Sequence, residues 1–122
     1  MDRDALGRAY EDGEVVVRQG DNGDRMYVVQ EGEVEVVVEQ DGREVRLGVR
    51  KAGDFFGEMA IFEREVRMAT VRALGSARIL SVDRKNFLRR VHEDPSLAYR
   101  IVQAMSGRIR ELSAEVARLK GR

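Results

Sequence analysis

The chain has 122 residues, enough for one compact core and too few for two comfortable ones. Lysine plus arginine and aspartate plus glutamate number 22 each, so no overall field draws the protein to nucleic acid or to an anionic membrane, and any anion site must be local. Cysteine is absent and His92 is the one histidine, which excludes disulfides, thiolate zinc sites, iron–sulfur clusters and a cysteine nucleophile, and leaves no metal centre to expect. No stretch approaches the roughly 20 apolar residues that span a bilayer, and the charged start Met1-Asp2-Arg3-Asp4 is unlike a signal peptide, so a cytoplasmic location with no membrane partner is expected.

Residues 2–10 read as a lead-in with at most one helical turn. From Glu14 the pattern is β: Val15, Val16 and Val17 form a β-branched run between Gly13 and Gly20, and Gln19 to Asp24 reads as a turn. Two strands follow, 25–30 and 33–39, divided at Glu31-Gly32, and the second places Val34, Val36 and Val38 on one face. Asp41-Gly42 is a two-residue hairpin signal. With Gln40 and Arg43 flanking it, Val38 faces Val45, Val36 faces Leu47 and Val34 faces Val49, while Glu33 faces Arg50 on the wetter side.

Beyond the segment 53–62, 69–74 and 77–82 return to strand around a turn at Gly75-Ser76. The sum is an antiparallel β-roll of about eight strands, about residues 10–83, with a short helix in its middle. Helices occupy about 84–120, giving a mainly β, α+β domain over 1–122. Asp83 is the candidate cap of a first helix carrying Phe87, Leu88 and Val91, which would pack beneath the roll, and His92 at its end reads as a surface residue. Asp94-Pro95 starts a second helix from about Ser96 to Lys120. Its apolar positions are Leu97, Ile101, Met105, Ile109, Leu112, Val116 and Leu119, the last four spaced as a coiled-coil seam. Such a stripe on a helix of roughly 37 Å wants a partner.

The candidate site lies between Gly53 and Val71. Glycines and a short apolar turn with an early acid precede a charged stretch, 63–65, that reads as a solvated loop, and then Arg67 leads into a strand. Amides at a helix start together with the helix dipole favour an anion, and Arg67 adds a full positive charge. Glu58, nine residues upstream, suits a ligand that also offers hydroxyls, so a phosphate joined to a sugar is the simplest match. The alternative is that Glu58 and Arg67 pair with each other across the turn. One of Phe55 and Phe56 is read as the anchor of the short helix, and Met59, Ile61 and Phe62 as core.

Phe56-Gly57-Glu58-Met59-Ala60, followed by Arg67-Met68-Ala69-Thr70-Val71, resembles the phosphate-binding cassette of the cyclic-nucleotide-binding domain family. The resemblance continues through Asp94-Pro95 and the last helix, as in regulators of the catabolite-activator type and regulatory subunits of protein kinase A. It implies that Glu58 takes the ribose 2′-hydroxyl, that Arg67 takes the cyclic phosphate, and that Gly57, Met59, Ala60, Met68 and Ala69 complete the ligand site. Val66 stands where many members have proline and Met68 where a small residue or threonine is usual. Guanine-selective relatives usually carry threonine there, and a thioether donates no hydrogen bond, so cyclic AMP is favoured over cyclic GMP. The resemblance also implies a homodimer through the last helix, with Ser113 offered to the base.

The function this implies is a regulatory sensor, not an enzyme, in which the ligand couples to movement of the C-terminal helix. Two readings compete: a dimerisation module with a vestigial pocket, and a truncated transcription regulator, since no helix-turn-helix precedes Arg122 and no DNA binding is expected of this chain alone. No convergent acid/base pair outside the cassette suggests catalysis.

Overall fold

The computed structural model describes residues 7–63 and 65–121, apart from the side chain of Glu65. Residues 2–6 of the predicted lead-in, and Arg64 in the predicted loop, lie outside them. The chain divides into two compact units, residues 1–84 and 85–122. The first is an antiparallel β-roll: β1 (Arg8–Tyr10), β2 (Val15–Val17), β3 (Asn22–Gly23), β4 (Arg25–Gln40), β5 (Arg43–Lys51), β6 (Phe55–Phe56), the single-turn α1 (Met59–Phe62), β7 (Glu65–Val66) and β8 (Thr70–Asp83). The main sheet runs β1-β8-β4-β5, with β2 on β8 and β6 on β4, while β3 and β7 form a separate pair.

Three expectations are corrected. Arg8–Tyr10 is a strand, paired with Ala77 to Ile79 of β8. The breaks expected at Glu31-Gly32 and Gly75-Ser76 are bends inside two long strands, β4 and β8, which pair along nearly their whole length. Gly32 and Gly75 supply the bends with φ of +78° and +77°. They also let the strands close up, because a Cβ on Gly32 would stand 2.2 Å from the Ser76 carbonyl oxygen.

The third correction concerns the hairpin. Gln40 faces Arg43 and Val38 faces Val45 as the turn dictates, but an irregularity follows between Val36 and Val37. Beyond it Val36 faces Gly48, Val34 faces Arg50 and Glu33 faces Lys51. Leu47 is the extra residue of this bulge and is 63% exposed. Val45 is also exposed, and Val49 is carried to the opposite face, beside Glu35. The β4 alternation holds in part: Val34 is fully buried and Val36 packs against the cluster of Tyr10, Val29, Val34, Phe56, Val71, Ala73, Ala77 and Ile79, but Val38 is only half-buried and Val37, on the face expected to be wetter, is buried as well.

On the other face of β4, Glu35 is buried and holds strands on both sides. It accepts from Arg46 Nη2 on β5 at 2.6 Å and from Arg72 Nε on β8 at 2.5 Å, and Arg72 also pairs with Glu44. Arg72 and then Arg46 hold the Glu35 carboxyl below the usual carboxylate range.

In the second unit, α2 spans Arg84–Glu93 and α3 Ser96–Lys120. Asp83 immediately precedes α2, Phe87 is buried, His92 is exposed as expected, and Leu88 is exposed against expectation. Pro95 already has helical angles, φ −58° and ψ −22°. Asp94 therefore does the capping, its carboxylate accepting from the Ser96 amide at 3.1 Å and the Ser96 hydroxyl at 2.6 Å. Along α3, Ile101 is buried whereas Val102, Ile109, Leu112, Val116 and Leu119 are exposed, and a Cβ on Gly107 would meet nothing within 4 Å.

Two outcomes test this scaffold. Gly32→Ala forces an L residue into a positive φ against a carbonyl and should cost about 2 kcal/mol or more by urea unfolding. Glu35→Gln should cost about 1–3 kcal/mol at neutral pH. Because the folded pKa of Glu35 lies below its unfolded value, its contribution is complete above the unfolded pKa and disappears as pH falls through the folded one. The gap between variant and wild type should accordingly shrink in melts below about pH 4.

Candidate functional site

The side chain that organises the site is Arg67, and β3 with β7 positions it. Asn22 faces Val66 and Gly23 faces Glu65. The Arg67 amide then donates to the Asp21 carbonyl at 2.7 Å, and the Gly20 amide donates to the Arg67 carbonyl at 2.8 Å. With its backbone pinned on both sides, Arg67 reaches inward. Its Nη1 donates to the Gly57 carbonyl at 3.1 Å, its Nη2 to the Arg25 carbonyl at 2.7 Å, and the guanidinium lies 5.7 Å from the centre of the Tyr27 ring.

Two glycines make the space. A Cβ on Gly23 would stand 2.3 Å from Arg67 Nε, and one on Gly57 would stand 2.7 Å from Arg67 Nη1. Gly57 also has φ +74°, so a side chain there is disfavoured twice over. Gly57 was legible in the cassette, whereas Gly23, Arg25 and Tyr27 were not. The signal available for them was Asn22-Gly23, which reads as turn chemistry and here forms a short strand pair.

Glu58 is half-buried at the start of α1. In that turn the Ala60 amide donates to the Gly57 carbonyl at a long 3.3 Å and the Ile61 amide to the Glu58 carbonyl at 3.0 Å. Ala60 and Ile61 are buried, but Met59 and Phe62 are exposed instead of lying in the core. The one-turn helix is too short to hide both sides. Both Phe55 and Phe56 are buried, not one, and the Phe56 ring stacks on Tyr27 at 5.2 Å. Arg84, the residue that follows β8, donates from its Nε to the Ile61 carbonyl of α1 at 2.8 Å.

Gly57, Glu58, Met59, Ala60 and Arg67 are thus gathered around one turn, through the Arg67 to Gly57 bond and the α1 bonds. Met68, which directly follows Arg67, is 81% exposed, and Ala69 is half-buried. Ser113 is exposed on α3, in the other unit. Burial pushes the Tyr27 phenol upward in pKa, and the neighbouring Arg67 charge opposes that. The arrangement offers a fixed cation beside a glycine turn, an acid on the same turn, and an aromatic floor, which suits a small anion carrying hydroxyls and an apolar part. Among the described residues no group of three His, Asp or Glu side chains is placed to hold a metal ion. A cavity of about 420 Å³ along β1, lined by Arg8, Tyr10, Glu14, Glu31, Ser76 and Arg78 among others, shares no residue with this site.

Residues 7–94 match the family model described as "Cyclic nucleotide-binding domain". A candidate potassium channel protein of Rhodopseudomonas palustris is 41% identical over 117 residues, covering 93% of this chain and 28% of the relative. A cAMP-dependent protein kinase regulatory subunit of Blastocladiella emersonii is 38% identical over 82 residues, covering 66% of this chain and 20% of the relative. Among solved structures, the Thermus thermophilus catabolite activator protein superposes with a TM-score of 0.83 at 28% identity, covering 93% of this chain and 54% of that one. The chain spans less than a third of the length of these two curated relatives.

Proposed function

The chain belongs to the cyclic nucleotide-binding domain family, and from that premise we propose that it is a cytoplasmic regulatory sensor of a cyclic purine mononucleotide, with no catalysis of its own. The observation that carries the reading is the placement of Arg67. Its charge is fixed against the cassette turn, over an aromatic floor, where a cyclic phosphate would exchange protein carbonyls for a charged acceptor and so strengthen the bonds. In this reading Glu58 accepts from the ribose 2′-hydroxyl, and Gly57, Met59, Ala60, Met68 and Ala69 frame the phosphate. Cyclic AMP is the first ligand to test, since Met68 offers no hydroxyl to guanine and one curated relative is a cAMP-dependent regulatory subunit.

The proposal extends to α3. The stripe Val102, Met105, Ile109, Leu112, Val116, Leu119, exposed except for the half-buried Met105, steps by three and four without a break, so the seam expected over its last four positions extends back to Val102. β-branched residues fall at every a position and Met or Leu at every d, the pattern that favours two parallel strands, and Glu115 at g can pair with Lys120 at e of a second copy. Ser113 falls at e, beside the seam, where the resemblance would have it serve the base. The nucleotide moves α3 by no more than the difference in its affinity for the two positions of that helix.

Arg67→Ala should weaken cyclic AMP binding by calorimetry at least about thirtyfold, because a buried phosphate loses its counter-charge. It should cost about 1–2 kcal/mol of stability for the two lost carbonyl bonds. An unchanged dissociation constant would refute the site. For the helix, the wild type should sediment as a dimer at tens of micromolar and Leu112→Asp as a monomer, since a charge at a d position is desolvated in the seam.

A further inference from the structure

The chain has five methionines and no cysteine, so its oxidisable sulfur is thioether alone. Met1 lies outside the described residues, and the other four sit in very different surroundings. Met26 is buried at 3% exposure, on β4 opposite Val82 of β8, and Met105 is half-buried on α3. Met59 is 45% exposed and Met68 is 81% exposed.

Apolar side chains scattered singly over a surface are ordinary. These two are not scattered. Met68 directly follows Arg67, and Met59 lies two residues beyond Gly57, whose carbonyl accepts from Arg67 Nη1 at 3.1 Å. Among the described residues, the two most exposed thioethers therefore flank the hydrogen bond that ties the cation to the cassette turn. Backbone holds them there. The Gly20 amide donates to the Arg67 carbonyl at 2.8 Å just before Met68, and the Glu63 amide donates to the Met59 carbonyl at 2.8 Å. The Met68 side chain buries little area, so making it polar costs the fold little.

Resting on the proposed nucleotide site, we propose that Met59 and Met68 are a reversible oxidation site through which a peroxide weakens nucleotide binding. A sulfur lone pair attacks the terminal oxygen of the peroxide, and the O–O bond breaks. That oxygen stays on sulfur as a sulfoxide, its proton passes to the departing oxygen, and the peroxide leaves as water or an alcohol with the two electrons that sulfur has lost. The return takes two electrons from a dithiol, supplied through a sulfoxide reductase, and the oxygen departs as water. The product is polar where the thioether was apolar. A sulfoxide oxygen only accepts hydrogen bonds, and so do the oxygens of a cyclic phosphate, so the two cannot bond and their negative partial charges oppose each other. Desolvating the sulfoxide without a donor should cost a factor of about five or more in affinity. Met26 is the internal reference, since peroxide reaches its sulfur only if the roll opens.

The test uses the 122-residue chain, hydrogen peroxide at a dose that leaves Met26 reduced by peptide mass mapping, and calorimetry with cyclic AMP and cyclic GMP before and after. Met59 and Met68 should be converted first, and affinity should fall at least about fivefold. Treatment with the two epimer-specific methionine sulfoxide reductases and a dithiol should restore it. The double variant Met59→Leu, Met68→Leu, compared with itself across the same dose, should keep its own starting affinity. Four results would each overturn the inference: Met59 and Met68 stay as reduced as Met26; they oxidise and affinity holds; the reductases restore the thioethers but not the affinity; or the double variant loses as much as the wild type, which moves the effect to Met105. Melting temperatures before and after oxidation report whether the fold persists. If Arg67→Ala abolishes binding while peroxide changes nothing, the inference falls and the site stands. If the reduced wild type binds neither nucleotide, the site itself falls and takes the inference with it.

Discussion

The first unit depends on a cation held by backbone. Arg67 is kept in place by two carbonyls, Gly57 on the cassette turn and Arg25 at the start of β4. Carbonyl partners fix the direction of the guanidinium without forming an ion pair with it. The geometry also explains why glycine occurs at both 23 and 57. Any side chain at either position would displace the guanidinium. The β3–β7 pair, otherwise too short to matter for stability, fixes the backbone from which Arg67 reaches in.

Much of this was legible from local chemistry. The change of period after Asp83, the Asp94-Pro95 start and the apolar spacing through Leu119 marked α3 close to its observed bounds. Asp41-Gly42 set the hairpin register at its tip. What escaped was decided by distant strands. Glu31-Gly32 and Gly75-Ser76 carry the residues of turns, but each lies opposite the other's neighbourhood, and β4 and β8 bend together instead of reversing. A single strand's sequence holds no record of that partner. Arg8–Tyr10 likewise became a strand because β8 offered it an edge, not through any propensity of its own.

The site followed the same division. Glu58 and Arg67 were recognisable because cassette residues sit close in sequence, whereas Arg25 and Tyr27 are some forty positions before Arg67 and entered only with the fold. Met59 and Phe62 went the other way. Their apolar character suggested core, but a helix of one turn buries one side, and Ala60 and Ile61 occupy it.

The bulge in β5 decides which of its side chains face inward. Alternation alone favours the straight register, which would bury Leu47 and Val49 and leave Arg50 wet, and burying two aliphatic side chains is worth roughly 3–6 kcal/mol at the most. Something must offset that preference, and the outer face supplies it. Arg46 stands opposite Val37, the last pair before the slip, and from there reaches Glu35, which Arg72 grips from the other side. The ion cluster thus spans β5, β4 and β8 at the level where the register changes. It lies on the face opposite Arg50. Replacing the cluster would therefore act on the inner face through a shift of register rather than through its own charge, since a one-residue return to the straight pairing rotates Arg50 out and Leu47 in.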